Sequence, residues 1–481
     1  AAPECAGVHV AAGFNSMGIA SAGGAGRALA EWIVAGAPTR DLWPVDIRRF
    51  APFNANPSWL KDRVVEVLGL HYAMPWPNRE LASARPFRRS PLYDRLAAKG
   101  AVFGSKMGWE RPNYFARNAD EKTIRYSFGP QNWAETAAAE HRACRQTAAL
   151  FDMTSFAKLR LEGPDALALM QRLCANDMDV PVGRSVYTAM LNARGGFESD
   201  LTAIRLAADV FLLVTGSAQP VRDADWIARN MNGARATLTD VTASMAVLAL
   251  MGPRARDILA RVTSARLDDD AFPRYAARDI PIGHATALAS RRSYMGELGW
   301  EIFAPVEFAA TIYDALVDSG ASHGLVDAGY YAVDSLRLEK GYRAWGRELT
   351  PDCTPYEAGL GFAVKLDKGD FLGRDALVAA KKKPLTRRLV SLLGPAPADQ
   401  MAWGGEAIHA GEQAIGEVTS AAFGATLGGI VALGWVSRAD GPVTGEWLAT
   451  QSLTIDLAGS KLPVSASLSP LYDPSGARLR G

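Results

Sequence analysis

Five side chains stand out for the chemistry their types could carry together. Asp200 follows a Gly-Gly turn in "YTAMLNARGGFESDL" (187–201), which opens on Tyr187. Glu301 sits between Trp300 and Ile302 in "SYMGELGWEIFAP" (293–305), seven residues after Tyr294. Arg337 lies in "YYAVDSLRLEKGYRAWG" (330–346), which reads as a helix. An aspartate entering an apolar strand caps a turn, pairs with an arginine or faces a ligand, and turn-capping is the commonest of the three. A carboxylate inside an apolar strand, as at Glu301, is costly to bury alone, so N–H donors should meet it. Two carboxylates, two tyrosines and an arginine suit a flat heterocycle with amide-like N–H groups and an acidic tail. A carboxylate takes paired hydrogen bonds from a guanidine-like edge, tyrosine stacks or hydrogen-bonds, and arginine clamps a carboxylate. A reduced pterin with a glutamyl tail carries all these groups. A structural ion-pair network would use the same residues.

A second stretch invites a ligand. "GFNSMGIASAGGAGRALAEWI" (13–33) follows an apolar segment, Val8 to Ala12, read as a strand. Glycine-rich loops that open a helix hold phosphates or cofactor rings. The helix should run from about Gly26 to Val34 and end at Gly36 and Pro38. "GIASAGGAG" does not serve as a dinucleotide fingerprint, because no βαβ unit with a ribose-binding acid follows it.

The elements that must position these residues show in the hydrophobic pattern. Residues 49–116 are rich in Pro, Trp and Arg, with one clear helix at Pro57–Leu68, and read as a connecting domain. From Tyr126 onward, strands and helices alternate. "LEGPDALALMQRL" (161–173) and "LMGPRARDILARV" (250–262) share Leu, Gly-Pro, Ala, an apolar residue and Arg at matched offsets, each after an alternating strand. Gly-Pro fits a strand-to-helix corner, and two such corners point to a duplicated unit. "LTAIRLAADVFLLVTG" reads as a hairpin. "KKKPLTRR" (381–388) is a solvated joint, beyond which short strands such as "GEVTSAAFGATLGGIVALGWV" suggest a small β-barrel.

Whole-chain numbers exclude several classes. Lys plus Arg (52) nearly cancel Asp plus Glu (51) in 481 residues, which argues against a nucleic-acid partner. No apolar run approaches the roughly 20 residues of a bilayer span, so no membrane partner is expected. Four scattered cysteines without a C-x-x-C pair and six dispersed histidines speak against a metal site. Cys174 reads as a core residue within an apolar helix. Cysteine usage suits a reducing compartment, hence the cytoplasm, and no export signal is visible. The chain lacks an initiating Met and opens in what reads as a strand, as a processed product or a piece of a longer protein would.

"YTAMLNARGGFESDLTAIRL", "SYMGELGWEIF" and "DSLRLEKGYRAWGRELTPDCTPYEAGLGFAVKLDKGDFLGR" resemble the aminomethyltransferase (glycine-cleavage T-protein) family. The match is closer to the branch fused to flavin-dependent dimethylglycine and sarcosine dehydrogenases, whose connecting domain "RPFRRSPLYDRLAAKGAVFGSKMGWERPNYFA" resembles. The resemblance implies an α+β fold of two related α/β subdomains with a C-terminal β-barrel, preceded by a fragment of an FAD-dependent oxidoreductase domain. It divides the chain into an FAD-domain tail (1–48), a connecting domain (49–116), a folate-binding aminomethyltransferase domain (117–380) and the barrel (381–481).

By motif, the resemblance makes Asp200 catalytic and Tyr187, Tyr294, Glu301 and Arg337 folate-binding, with Arg337 near the glutamyl tail. Gly13, Phe14, Asn15, Ser16, Met17, Gly18 and Ile19 would present backbone N–H groups to FAD at a helix N-terminus. The dinucleotide fingerprint, and the histidine that some relatives bond to flavin, would lie upstream. Ser199 stands where these proteins often have a second acid, and Ala344 where relatives often have histidine. The implied function is tetrahydrofolate-dependent methylene transfer coupled to flavin oxidation of an N-methyl amine. Its rival is a non-catalytic folate-binding or docking subunit that completes the flavin site of a second chain.

Overall fold

Two strand-to-helix corners organise the centre of the molecule. Gly163 (φ +137°) and Gly252 (φ +131°) adopt nearly the same left-handed backbone, at the two Gly-Pro sites read as a repeat. A Cβ on Gly252 would sit 2.6 Å from the Thr147 carbonyl oxygen, and one on Gly163 would strike the Arg235 carbonyl. Only glycine lets the neighbouring backbone pass so closely.

The computed structural model describes residues 2, 3, 5 and 7–480. Helices α1 (Gly18–Ala35), α2 (Pro57–Gly69) and α3 (Tyr93–Ala98) precede a hairpin of β1 (Ala101–Lys106) and β2 (Trp109–Phe115). Helix α4 (Ala134–Gln146) leads into β3 (Ala148–Asp152). The first repeat is β4 (Ala157–Glu162), α5 (Ala166–Leu173), β5 (Ser185–Leu191), β6 (Phe197–Ala207), β7 (Val210–Thr215), α6 (Pro220–Arg229) and β8 (Thr237–Asp240). The second repeats that order: β9 (Met245–Met251), α7 (Ala255–Ala260), β10 (Ala277–Ile282), β11 (Ala285–Ser290), β12 (Gly299–Pro305), α8 (Ala309–Gly320) and β13 (Leu325–Asp327). Helices α9 (Tyr330–Glu339) and α10 (Arg374–Lys381) follow. The chain ends in a closed barrel of β14 (Arg387–Gly394), β15 (Ala407–Ala410), β16 (Gln413–Gly424), β17 (Gly429–Ser437), β18 (Leu453–Leu457) and β19 (Ser460–Ser467), with α11 (Gly445–Ala449) before β18.

The duplication extends to strand order. One sheet runs β5-β6-β7-β4-β8, and the other β10-β11-β12-β9-β3-β13, the same order with β3 inserted. Leu201 and Ala203 of β6 pack outward with Leu169, Leu173 and Ile227 of α5 and α6. Trp300 and Ile302 of β12 pack outward with Ile258, Leu259, Ile312 and Leu316 of α7 and α8. The inner faces meet through Ile204, Leu212, Val247, Phe303 and Leu336. Edge strands β5 and β10 join where Ser185 N–H donates to Tyr275 O (2.8 Å) and Ala277 N–H to Gly183 O (2.7 Å). Leu389, Val431 and Leu433 of the barrel pack on Leu338 of α9. No helix among the described residues is long and apolar enough to cross a membrane.

Several expectations change. Helix α1 begins eight residues before the expected Gly26, because an alanine-rich context carries its glycines; a left-handed Gly36 (φ +72°) ends it, as expected. Val8 to Ala12 joins no sheet. Hairpin β1–β2 went unread because Arg111 and Pro112 interrupt its alternation. Asp200 is the fourth residue of β6 rather than its first. Cys174 caps the end of α5, fully buried, and burial raises its thiol to about 12.

Gly163→Ala and Gly252→Ala should each destabilise the fold by about 2 kcal/mol or more, through backbone strain and overlap. Gly24→Ala in α1 meets nothing within 4 Å and should be neutral or stabilising by up to about 1 kcal/mol. Equilibrium denaturation of the three variants checks the contrast.

Candidate functional site

Asp200 points from β6 toward the inner face, since its neighbour Leu201 packs outward and strand side chains alternate. It pairs with Ala189 of β5, and Tyr187 pairs with Thr202, so Tyr187 and Asp200 are diagonal neighbours on one face. The Tyr187 hydroxyl donates to Asp200 Oδ2 at 3.1 Å. Gln219, at the start of α6, donates to the Asp200 carbonyl (3.3 Å) and to Ser199 Oγ (3.2 Å). Among the described residues no cation pairs with the Asp200 carboxylate. Burial raises its pKa to about 6, with the Tyr187 hydrogen bond opposing the shift. Tyr187 and Asp200 keep accessible surface although protein surrounds them deeply, as side chains lining a cleft do.

Glu301 lies on the inner face of β12, 7% exposed, opposite Ser290 in the ladder. The donor expected for it is Arg292, whose Nε lies 2.6 Å from Glu301 Oε2. Ser290 Oγ meets Ser185 Oγ at 2.9 Å, and Ser185 is two residues from Tyr187 on the same face of β5. A continuous line of inner-face side chains therefore runs from Asp200 through Tyr187, Ser185 and Ser290 to Glu301. The two acids occupy adjoining surfaces of the joined sheets.

Tyr294 closes this space from a turn that Ser293 Oγ fastens by accepting from the N–H groups of Met295, Gly296 and Glu297. Its hydroxyl donates to the Arg343 carbonyl (2.7 Å), and its ring stacks on Tyr342 with centroids 5.8 Å apart. Burial pushes the Tyr294 phenol upward. Behind the turn, Arg145 donates to Glu297 (3.1 Å) and Glu339 (3.2 Å).

Arg337 is not where the motif put it. It is fully buried, donating through Nη1 to Glu348 Oε2 at 2.9 Å. Glu348 also accepts from the Ala344 N–H (2.8 Å), Thr419 (2.7 Å) and Ser420. Helical spacing sets Arg337 one turn after the buried Val333, and its counter-ion arrives from a loop eleven residues on. The pair is a strut beneath residues 341–348, and Arg337 does not line the cleft. Gly13, Phe14, Asn15, Ser16, Met17 and Ile19 are exposed, Gly18 less so, and none hydrogen-bonds to the cleft residues. They form a left-handed turn (Gly13 φ +78°, Asn15 φ +39°, Ser16 φ +62°) before α1, whose N-terminus has no side-chain cap.

Two residues were missed. Asp223 of α6 is completely buried behind Asp200, near the Thr215 and Ser199 hydroxyls, and among the described residues neither carboxyl oxygen is in a well-formed hydrogen bond. Burial raises its pKa to about 7, with the Asp200 charge adding to the shift. The signal was present: Asp223 sits one helical turn before Ile227, on the apolar stripe of "PVRDADWIAR". Arg343 is the other. Its side chain donates to Ala358 O (2.9 Å) and Gly341 O, and no carboxylate pairs with it among the described residues.

Known proteins share this architecture. Residues 92–368 match the GCVT N-terminal domain, residues 387–473 the glycine cleavage T-protein C-terminal barrel domain, and residues 35–90 the FAD dependent oxidoreductase central domain. The chain is 39% identical over 482 residues to a 4-methylaminobutanoate oxidase (formaldehyde-forming) of Paenarthrobacter nicotinovorans, covering 99% of this chain and 57% of that protein. It is 36% identical to the mitochondrial pyruvate dehydrogenase phosphatase regulatory subunit of Mus musculus, covering 98% of this chain and 55% of the relative. The chain thus spans little more than half the length of these relatives. The solved aminomethyltransferase T of the Bartonella henselae glycine cleavage system superposes with a TM-score of 0.67 and 28% identity, over 81% of this chain and 99% of that one.

Asp223 holds its proton more tightly in the fold than in the unfolded chain. It therefore lowers stability as pH rises from its ordinary value of 3.8 to about 7, and the loss is complete above that. Asp223→Asn should melt higher than the parent at pH 8, with the gap closing toward pH 4; melting curves across that range test it. Glu348→Gln leaves the buried Arg337 charge with the Asp334 carboxylate at 3.3 Å as its remaining partner and should lower stability by about 2 kcal/mol, measured by denaturation at neutral pH.

Proposed function

Because the chain belongs to the glycine-cleavage T-protein family, we propose that it is the one-carbon portion of a flavin-dependent N-demethylating dehydrogenase. Its amine would be of the dimethylglycine or sarcosine type, and its product methylene-tetrahydrofolate. The observation that carries this reading is Asp200, a deep carboxylate with no cation paired to it among the described residues, oriented by Tyr187 on an inner face that adjoins Glu301 and Tyr294. Tetrahydrofolate, when bound, supplies the nitrogens that take up the one-carbon unit.

The cleft suits that ligand. Glu301 and Arg292 offer an acceptor and a donor side by side, Tyr294 offers a stacked ring, and Asp200 accepts from a ring N–H. With a pKa near neutrality, Asp200 can hold a proton released there and return to its charged form between turnovers. Tyr187 holds that carboxylate in one orientation, and positioning of this kind supplies much of a rate gain.

FAD would require the remainder of a flavin domain, as a further segment or a second chain. All large exposed apolar side chains except Phe128, Val182, Phe308 and Phe362 lie before residue 88, Ile19 being 99% exposed. Such a concentration suits a covered face. The four free thiols suit a reducing compartment such as the cytoplasm.

One relative is a regulatory subunit, which keeps the non-catalytic folate-binding or docking reading in play. Purified protein supplied with formaldehyde and tetrahydrofolate separates the two. Methylene transfer above the uncatalysed rate supports the enzyme, and folate binding without transfer supports the docking subunit. Asp200→Asn should cut transfer about 100-fold or more while folate still binds, and parental turnover would overturn its role. The parental rate should rise with pH about a midpoint near 6 as Asp200 ionises. Tyr187→Phe removes a donor that favours the charged carboxylate, so its midpoint should move to higher pH.

A further inference from the structure

We propose that Arg343 binds a carboxylate group of the ligand in this cleft, an assignment that rests on the folate reading above. Three observations meet at this side chain. First, the guanidinium is preorganised: Nε donates to Ala358 O at 2.9 Å and Nη1 to Gly341 O, which leaves Nη2 without a hydrogen-bond partner among the described residues. Two backbone carbonyls thus fix the plane of the fork and leave one edge to bind. Second, the charge is uncompensated. Burial lowers the guanidinium pKa, and the carboxylate whose field it feels, Glu348, is already committed to Arg337. A deep cation without a counter-ion is unfavourable until an anion arrives. Third, the surroundings belong to the candidate site. Tyr187 and Tyr294 both face Arg343, and Tyr294 donates to its carbonyl.

The local backbone keeps the edge open. Gly359 adopts φ +71°, and a Cβ there would fall 2.7 Å from Arg343 Nη2. Arg343 keeps accessible surface where Arg337 is fully buried, so of the two arginines it is the one a carboxylate can reach.

A carboxylate could come from a folate glutamyl tail or from an N-methyl amino acid, and calorimetric titration distinguishes them. Tetrahydrofolate, tetrahydropteroate (which lacks the glutamate) and N-methylglycine are titrated into the parent, Arg343→Gln and Arg343→Lys. Melting curves confirm that the variants are folded. If the tail is the source, Arg343→Gln weakens tetrahydrofolate about tenfold or more and leaves tetrahydropteroate unchanged, with Arg343→Lys between. If the amino acid is the source, both pteridines bind as in the parent and N-methylglycine binding is lost. Parental affinity for all three ligands in Arg343→Gln overturns the proposal, as does an equal loss for both pteridines with N-methylglycine unchanged. A parent that binds neither pteridine overturns the folate reading instead, and N-methylglycine alone then decides Arg343.

Discussion

A charge taken from water must find its opposite, and this constraint shapes the molecule around its centre. Arg337 and Glu348 are both fully buried and face each other at 2.9 Å. Removing either partner of such a pair costs about 3–5 kcal/mol, so the chain between them is held in place. That chain carries Tyr342, Arg343 and Trp345. Glu348 also accepts from Thr419 and Ser420 of the barrel, so one ion pair fastens α9, the loop and the C-terminal domain together.

Against this background the unpaired groups gain meaning. Glu301 has Arg292, Arg145 has Glu297 and Glu339, and Lys340 has Asp473. Asp200 and Arg343, which both neighbour Tyr187, have no ion-pair partner among the described residues, nor has Asp223 behind the strand. Buried charges elsewhere are answered without an ion pair too: Lys158 donates to the Thr154 and Met245 carbonyls, Glu140 accepts from the Phe115 and Gly329 N–H groups, and Asp152 accepts from Ser90. Asp200 and Arg343 differ in keeping part of their surface open to a ligand. The acids differ in access. Asp200 keeps accessible surface, and Asp223 is sealed behind the strand, where the Asp200 charge makes it harder to ionise.

Duplication explains where the space comes from. Each half covers the outer face of its sheet with its own helices, so both inner faces remain to meet each other. The β5 and β10 edges join at residues 183–185 and 275–277, which brings the ends of the two inner faces side by side. The acids do not occupy equivalent strands, since β6 is the middle strand of its trio and β12 the last of its own. A near-symmetric frame thus holds an asymmetric set of side chains, as a flat ligand with different edges requires.

Local pattern was enough for much of this. Two Gly-Pro corners announced the repeat because close backbone passage admits only glycine, and the short, glycine-rich strands beyond residue 388 announced the barrel. Long motifs singled out Asp200, Tyr187, Tyr294 and Glu301 as candidates, and the two acids drew attention because a carboxylate is costly in an apolar strand. Residue type and local spacing carry information about such short-range preferences, but not about which distant group answers a charge. Arg337 was expected near a glutamyl tail until Glu348 folded back on it, and nothing in the sequence singled out Arg343. The reach of Ser185 to Ser290, which unites the two halves of the site, spans 105 residues and exists only where two sheet edges meet. Pairing of charges is decided by proximity in space, and only the tertiary structure supplies it.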